Sequence, residues 1–178
     1  TNTQAIEMAD NNTVLVIVDV NKPSITECPD LLRFCKSVVV LDHHRQGTET
    51  IENATLSYVE PYASSACEMV SEILQYTYDN IKIRTEEADC MYSGIMIDTN
   101  NFMTKTGVRT FEAAAFLKKK GADTIAVKKL FANSIETYHQ KSSLINSAHL
   151  YKECAVAYTE ESFSEIRIAA SQAADELL

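Results

Sequence analysis

A chain of 178 residues, 46% of them hydrophobic, is long enough to bury one substantial core, and no apolar run approaches the roughly 20 residues that a membrane-spanning helix requires. Sixteen basic against 25 acidic residues give a formal charge of −9 and a pI near 4.9, which excludes a protein that holds a long nucleic-acid backbone through a dense Lys and Arg surface. Five cysteines, at positions 28, 35, 67, 90 and 154, are odd in number and form no CxxC pair, so they read as reduced cytosolic thiols and not as a disulfide frame or zinc ribbon. No signal peptide opens the chain, and residues 4–9 read as the tail of a helix, the pattern expected of a piece cut from a longer protein.

Taken in order, Thr13-Val14-Leu15-Val16-Ile17-Val18 is a β-branched, apolar run that ends on Asp19, the pattern of a buried strand. Pro29-Asp30 opens a short helical segment that ends near Lys36. Lys36-Ser37-Val38-Val39-Val40-Leu41 repeats the buried-strand pattern and ends on Asp42-His43-His44-Arg45, so the order strand, helix, strand predicts a right-handed βαβ unit. Residues 45–55 are polar and carry Gly47, a loop, and Leu56-Ser57-Tyr58-Val59-Glu60 is a third strand stopped by Pro61. From Ser64 or Ser65 as cap, Ala66, Met69, Val70, Ile73 and Leu74 recur at helical spacing, and a turn follows around Asp79-Asn80. Thr85-Glu86-Glu87 starts a helix that turns Ala88, Met91, Tyr92, Ile95 and Met96 inward and reaches Asp98, before the polar Thr99-Asn100-Asn101.

A further helix over residues 110–120 closes at Gly121, and a shorter one covers residues 124–131. The spacing then predicts a long helix over residues 135–151 with Tyr138, Ile145, Ala148 and Leu150 available for burial, a strand over 155–158 and a helix over 164–178. The predicted class is α/β: a parallel sheet flanked by helices, followed by a helical subdomain, without internal repeats or low-complexity tracts.

Parallel sheets place ligands beyond the carboxyl ends of their strands, so Asp19 and the Asp42-His43-His44 cluster stand at one rim. A carboxylate at the end of a buried strand costs free energy unless it is paired, hydrogen-bonded or metal-bound. Asp and His together suit divalent ions such as Mn²⁺, and two such ions can bracket a phosphate while activating water. Each acid taken alone has a bland reading as a strand-end cap or salt bridge; two adjacent imidazoles beside an acid make that reading poorer for the triplet. Neighbouring strand residues point to opposite faces, so one histidine would bind metal while the other meets substrate or supports the site, unless the chain turns between them. Lys105 and Arg109 flank Gly107 just beyond Asp98; they either form a basic loop that caps the next helix or offer a guanidinium to a phosphate. Ser64 and Ser65 are either simple helix caps or donors to an anion. Lys118-Lys119-Lys120 is favourable charge at a helix end, and His139 and His149 take no site role.

These stretches resemble the DHH phosphoesterase superfamily, named for the motif at 42–44, and within it the cyclic-di-AMP phosphodiesterases of the GdpP type. The likeness spans residues 13–150 and rests on Val18-Asp19 with Lys22-Pro23-Ser24, on Asp42-His43-His44-Arg45, on Glu60-Pro61-Tyr62-Ala63-Ser64-Ser65, on Gly94-Ile95-Met96-Ile97-Asp98-Thr99 and on Thr106-Gly107-Val108-Arg109-Thr110-Phe111. The resemblance implies two Mn²⁺ ions, with Asp19 shared between them and His43 and Asp98 as further ligands. Asp42 would orient the histidines, His44 would lie beside the scissile phosphate, and Arg109, Ser64 and Ser65 would be substrate-side contacts. The implied reaction is attack of metal-activated water on a 3′,5′-phosphodiester of cyclic di-AMP, giving linear pApA.

The family's first motif, a His followed by two aspartates on an earlier strand, has no counterpart in residues 1–12. Its second domain, with a Gly-Gly-His motif, should begin around Ser162, and Asn21 stands where close relatives usually have His. Residues 1–151 are therefore expected to be an incomplete DHH domain and 152–178 a linker with the start of a C-terminal substrate domain of the DHHA1 type. Such a fragment should bind metal weakly, turn over little, and expose a sheet edge that favours association, as in a homodimer. The expected setting is a cytoplasmic domain of a membrane-anchored parent, with no membrane contact from this segment. Two alternatives stay open: a hydrolase of short oligonucleotides or nucleotide 3′-phosphates from the same superfamily, and a non-catalytic cyclic-dinucleotide-binding domain.

Overall fold

The computed structural model describes residues 1–77, 81–132, 134–160 and 166–178, in two compact units, Thr1–Val127 and Lys128–Leu178. The turn expected at Asp79-Asn80, the helix start at Ser164 and the domain start near Ser162 lie outside the described residues.

In the first unit, helix α1 (Asn2–Met8) precedes strand β1 (Val14–Val18), a 3-10 turn (Pro23–Ile25), helix α2 (Leu31–Phe34), strand β2 (Ser37–Asp42) and strand β3 (Leu56–Val59). The three strands form one parallel sheet in the order β1-β2-β3. The register sets Val18 beside Leu41 and Leu41 beside Tyr58, so the carboxyl ends of the strands are level. Their last ladder bonds, Asp19 N–H to the Leu41 carbonyl and Glu60 N–H to the Asp42 carbonyl, both 2.9 Å, carry the three chain ends to one rim.

Side chains alternate across the sheet, and one face supplies Ile17, Val38 and Val40 to a core shared with Cys35 and Ile51, against which Leu15, Leu31 and Leu32 pack. The other face is uneven: α3 (Ala66–Thr77) packs on β2, but Val14, Val16 and Val18 of β1 and Leu56 of β3 are exposed. Of the two strands expected to be buried, β2 buries Val38, Val40, Leu41 and Asp42 and half-buries Ser37 and Val39, while β1 buries Ile17 alone. Among the described residues strand β1 has a neighbour on one side, and its apolar composition matches that of a central strand.

Helices α3, α4 (Thr85–Asp98) and α5 (Val108–Lys119) pack around Ala88, Ile95, Ala113 and Leu117. The α4 start is tied by Glu87, whose carboxylate accepts from the Arg84 backbone N–H at 3.0 Å and from its guanidinium. Gly121, at φ +112°, makes the left-handed turn that stops α5, while the Lys118 and Lys120 ammonium groups donate to the Ala122 and Ile81 carbonyls at 2.8 and 2.7 Å. Helix α6 (Thr124–Leu130) follows.

The second unit holds α7 (Ile135–Ser147), an antiparallel hairpin of β4 (His149–Tyr151) and β5 (Cys154–Val156), and α8 (Ile166–Leu177), with Leu144, Ala169 and Ala173 as its core. The helix expected over residues 135–151 thus stops four residues early. Ala148 is extended (φ −66°, ψ 137°), Lys152 turns the chain at φ 56°, and pairing with β5 captures residues 149–151. Leu150 and Tyr138, expected to be buried, are exposed, and His149 sits on a strand. Helical spacing is a local signal and does not register a strand partner five residues on. Among the described residues no helix is long and apolar enough to cross a membrane.

Candidate metal centre

At the end of β1 the chain turns sharply: Asp19 adopts φ 67°, a left-handed conformation that a short acid tolerates, which re-aims its carboxylate away from the strand alternation. At the end of β2, Asp42 Oδ1 accepts from the His44 backbone N–H at 3.1 Å and lies 2.8 Å from His44 Nδ1. These contacts turn the chain, so the two imidazoles do not diverge as they would along a continuing strand; their centroids are 4.4 Å apart. The third contribution, Asp98, is the last residue of α4. Beyond it Asn100, Asn101 and Phe102 all have positive φ, and the buried Thr99 ties this turn by donating to the Ile95 carbonyl (2.6 Å) and accepting from Phe102 N–H (3.0 Å).

The result is a compact cluster in which one ligand atom each from Asp19, Asp42, His43 and His44 lies within 4.8 Å of the others. His43 is almost entirely buried, and its Nε2 lies 3.3 Å from Asp19 Oδ1 and 3.7 Å from Asp98 Oδ2. The His44 ring is 59% exposed and 3.9 Å from Asp19 Oδ1. Burial raises the Asp98 carboxyl above the ordinary carboxylate range; His43 opposes this and the Asp19 charge adds to it.

Two buried polar atoms in this cluster, His43 Nε2 and Asp42 Oδ2, have no hydrogen-bond partner. Native interiors rarely leave such atoms unpaired, and an imidazole nitrogen facing two carboxylates is the donor set of a divalent ion of the Mn²⁺ class. The residues present therefore fit a metal ion.

The expected substrate-side residues form a separate network. Ser64 and Ser65 are both buried: the Ser65 hydroxyl accepts from Glu68 N–H at 3.0 Å as the cap of α3, and the Ser64 hydroxyl donates to Glu68 Oε2 at 2.6 Å. The same carboxylate oxygen accepts from Thr110 at 2.6 Å. Arg109 forks Glu72 through Nε (2.7 Å) and Nη2 (2.6 Å), and this pairing holds its guanidinium well above the ordinary arginine range, in spite of partial burial. The structure thus brings Asp19, Asp42, His43, His44 and Asp98 together, and gathers Ser64, Ser65 and Arg109 around two acids of α3.

Glu68, Glu72 and Asn21 had no assigned role in the sequence reading. Glu68 carries a signal: Ser65-x-x-Glu68 has the spacing of a capping box. The buried Asn21 donates from Nδ2 to the His44 carbonyl at 3.1 Å, tying the loop after β1 to the one after β2, which no spacing announces. Cys67 joins the two regions: burial first, then the charges of Asp98 and Asp19, push its thiol up to about 11.

The model of the DHH family, N-terminal domain, matches residues 1–95. The chain is 43% identical over 180 residues to the cyclic-di-AMP phosphodiesterase GdpP of Bacillus subtilis (strain 168) and 40% identical over 177 residues to the cyclic-di-AMP phosphodiesterase PdeA of Listeria monocytogenes serotype 1/2a (strain 10403S). Each match covers 98% of this chain and 27% of the relative, so the chain spans about a quarter of the length of these proteins. The fold is shared with an exopolyphosphatase-related protein from Bacteroides fragilis, at a TM-score of 0.74 and 21% identity over 84% of this chain and 45% of that one. With the three-stranded parallel sheet and the rim it builds from Asp42-His43-His44, these matches show that the chain belongs to the DHH family.

Proposed function

We propose that the chain is the metal-binding part of a Mn²⁺-dependent phosphodiesterase that opens cyclic di-AMP to linear pApA. The observation that carries this reading is the buried, unpartnered His43 Nε2 between the carboxylates of Asp19 and Asp98. Those three residues would hold the ion. Manganese, when bound, supplies positive charge against the phosphate and makes water a usable nucleophile near neutral pH.

The other residues divide the remaining work. Asp42 Oδ1 accepts a hydrogen bond from His44 Nδ1–H, because an ionised carboxylate can only accept, so the lone pair of His44 is left on Nε2. There it can take a proton at the phosphate, with Asp42 balancing the imidazolium. Arg109 grips a phosphate of the substrate, and the buried Ser64 and Ser65 hold the start of α3 behind it. The three ligands suit one ion; a two-ion site needs donors beyond those the described residues gather, so residues 1–178 should bind Mn²⁺ weakly and turn over slowly. The substrate class is supported by the names of the GdpP and PdeA relatives. The same reading divides the chain near residue 151, before the start of a substrate domain, and places it in the cytoplasm as part of a membrane-anchored protein.

The test incubates residues 1–178 with excess Mn²⁺ and either cyclic di-AMP or pApA, and follows products by chromatography over hours. Slow formation of pApA from cyclic di-AMP, abolished by His43→Ala, is the expected result. Preferential breakdown of pApA would make the protein a short-oligonucleotide hydrolase, and tight cyclic di-AMP binding without metal or turnover would make it a sensor.

A further inference from the structure

We propose that Glu72 is a positioning residue for Arg109: its carboxylate takes the inner edge of the guanidinium and leaves the outer edge free to fork a phosphate of the substrate. The inference rests on the reading above, in which Arg109 meets substrate, and adds the group that aims it. A guanidinium has five N–H donors in a fixed plane, and Glu72 uses two of them, on Nε and Nη2. One Nη1 hydrogen and the second Nη2 hydrogen remain as a pair on the adjacent outer edge, and the other Nη1 hydrogen lies on the Cδ side. The Arg109 side chain is 41% exposed and that of Glu72 20%, so the carboxylate stands on the protein side and leaves guanidinium surface open to solvent.

The rest of the residue is fixed as well. Glu68, one turn before Glu72 on α3, holds the next residue, Thr110, at 2.6 Å and lies 3.9 Å from Arg109 Nε. Arginine loses several rotatable bonds when it grips a phosphate, and fixing them beforehand is worth affinity.

The experiment titrates the Mn²⁺-loaded chain with a phosphorothioate analogue of cyclic di-AMP by calorimetry, for the unaltered chain, Glu72→Ala, Glu72→Gln, Arg109→Ala and the Glu72→Ala/Arg109→Ala pair. Glu72→Ala should weaken binding about tenfold, the order expected for loss of a charge-assisted contact. Glu72→Gln, which keeps one acceptor, should fall between, and the double variant should be no weaker than Arg109→Ala alone. The Arg109 Nε–H resonance should be protected from exchange in the unaltered chain and lose that protection in Glu72→Ala. Binding that is unchanged or tighter in Glu72→Ala, or additive losses in the double variant, would overturn the positioning role while leaving the substrate reading intact. No binding by the unaltered chain would overturn the substrate reading, and the phosphate role with it. If Glu72→Ala does not fold, the isosteric Glu72→Gln carries the same comparison.

Discussion

At Gly94 helix α4 passes close against α3. A Cβ built at Gly94 would lie 2.5 Å from Cys67 Sγ and 3.5 Å from Cys67 Cβ. In an unconstrained helix interior, Gly→Ala is stabilising by about 1 kcal/mol. Here the added carbon must separate from the sulfur by more than about 1 Å to reach ordinary van der Waals distance, and overpacking of this kind costs about 1–3 kcal/mol. The clash wins, so Gly94→Ala should be destabilising by about 1–2 kcal/mol in urea denaturation followed by circular dichroism. Cys67→Ala removes the obstructing atom, and the Gly94→Ala/Cys67→Ala pair should recover most of the loss, a coupling of at least about 1 kcal/mol. Because α4 ends on Asp98, a shift of α4 against α3 also moves Asp98 relative to His43, so the single variant should bind Mn²⁺ more weakly than the pair. A Gly94→Ala variant as stable as the unaltered chain, or more so, would refute the close packing.

Asp42→Asn should leave Mn²⁺ binding nearly unchanged but move the His44 proton from Nδ1 to Nε2, visible in nitrogen NMR, and lower turnover about 10–100-fold, the usual cost of losing a group that orients an active imidazole. With Asp98 as a ligand, as proposed, Mn²⁺ binding requires its ionised carboxylate, which burial holds above the ordinary range, so affinity should decline on acidification sooner than for an ordinary carboxylate; Asp98→Asn should abolish that pH dependence along with most of the affinity. The metal-free chain has the opposite dependence from this group: its folded form keeps the proton longer, so this contribution to stability falls as pH rises through the same range. Cys67, its thiol pushed up to about 11, should react with a disulfide reagent at pH 8 only after unfolding, as should the buried Cys35, while the exposed Cys90 and Cys154 react at once.

The parallel sheet was legible because its signals are local: apolar β-branched runs that end on Asp19 and Asp42, separated by a short helix opened at Pro29-Asp30. The Asp42-His43-His44 triplet named its own rim for the same reason. Harder to read was anything that depends on a distant partner. The residues of β4 have helical spacing and become a strand only because residues 154–156 pair with them. The exposure of Val14, Val16 and Val18 follows from α3 packing over β2 and not over β1, which composition does not encode. In the site, Ser64 and Ser65 read equally well as caps or anion donors, and their burial against Glu68 depends on Thr110, 42 residues further along the chain. The fork between Arg109 and Glu72, 37 residues apart, and the reach of Asn21 to the His44 carbonyl are likewise products of packing.

On the proposed reading, Asp19, His43 and Asp98 hold a divalent ion at the rim of the sheet. Calorimetric titration of the unaltered chain, His43→Ala and His44→Ala with MnCl₂ tests it most directly. The unaltered chain and His44→Ala should bind Mn²⁺ alike, while His43→Ala should lose at least about tenfold in affinity. Equal binding by His43→Ala and the unaltered chain, or no binding by either, would contradict it.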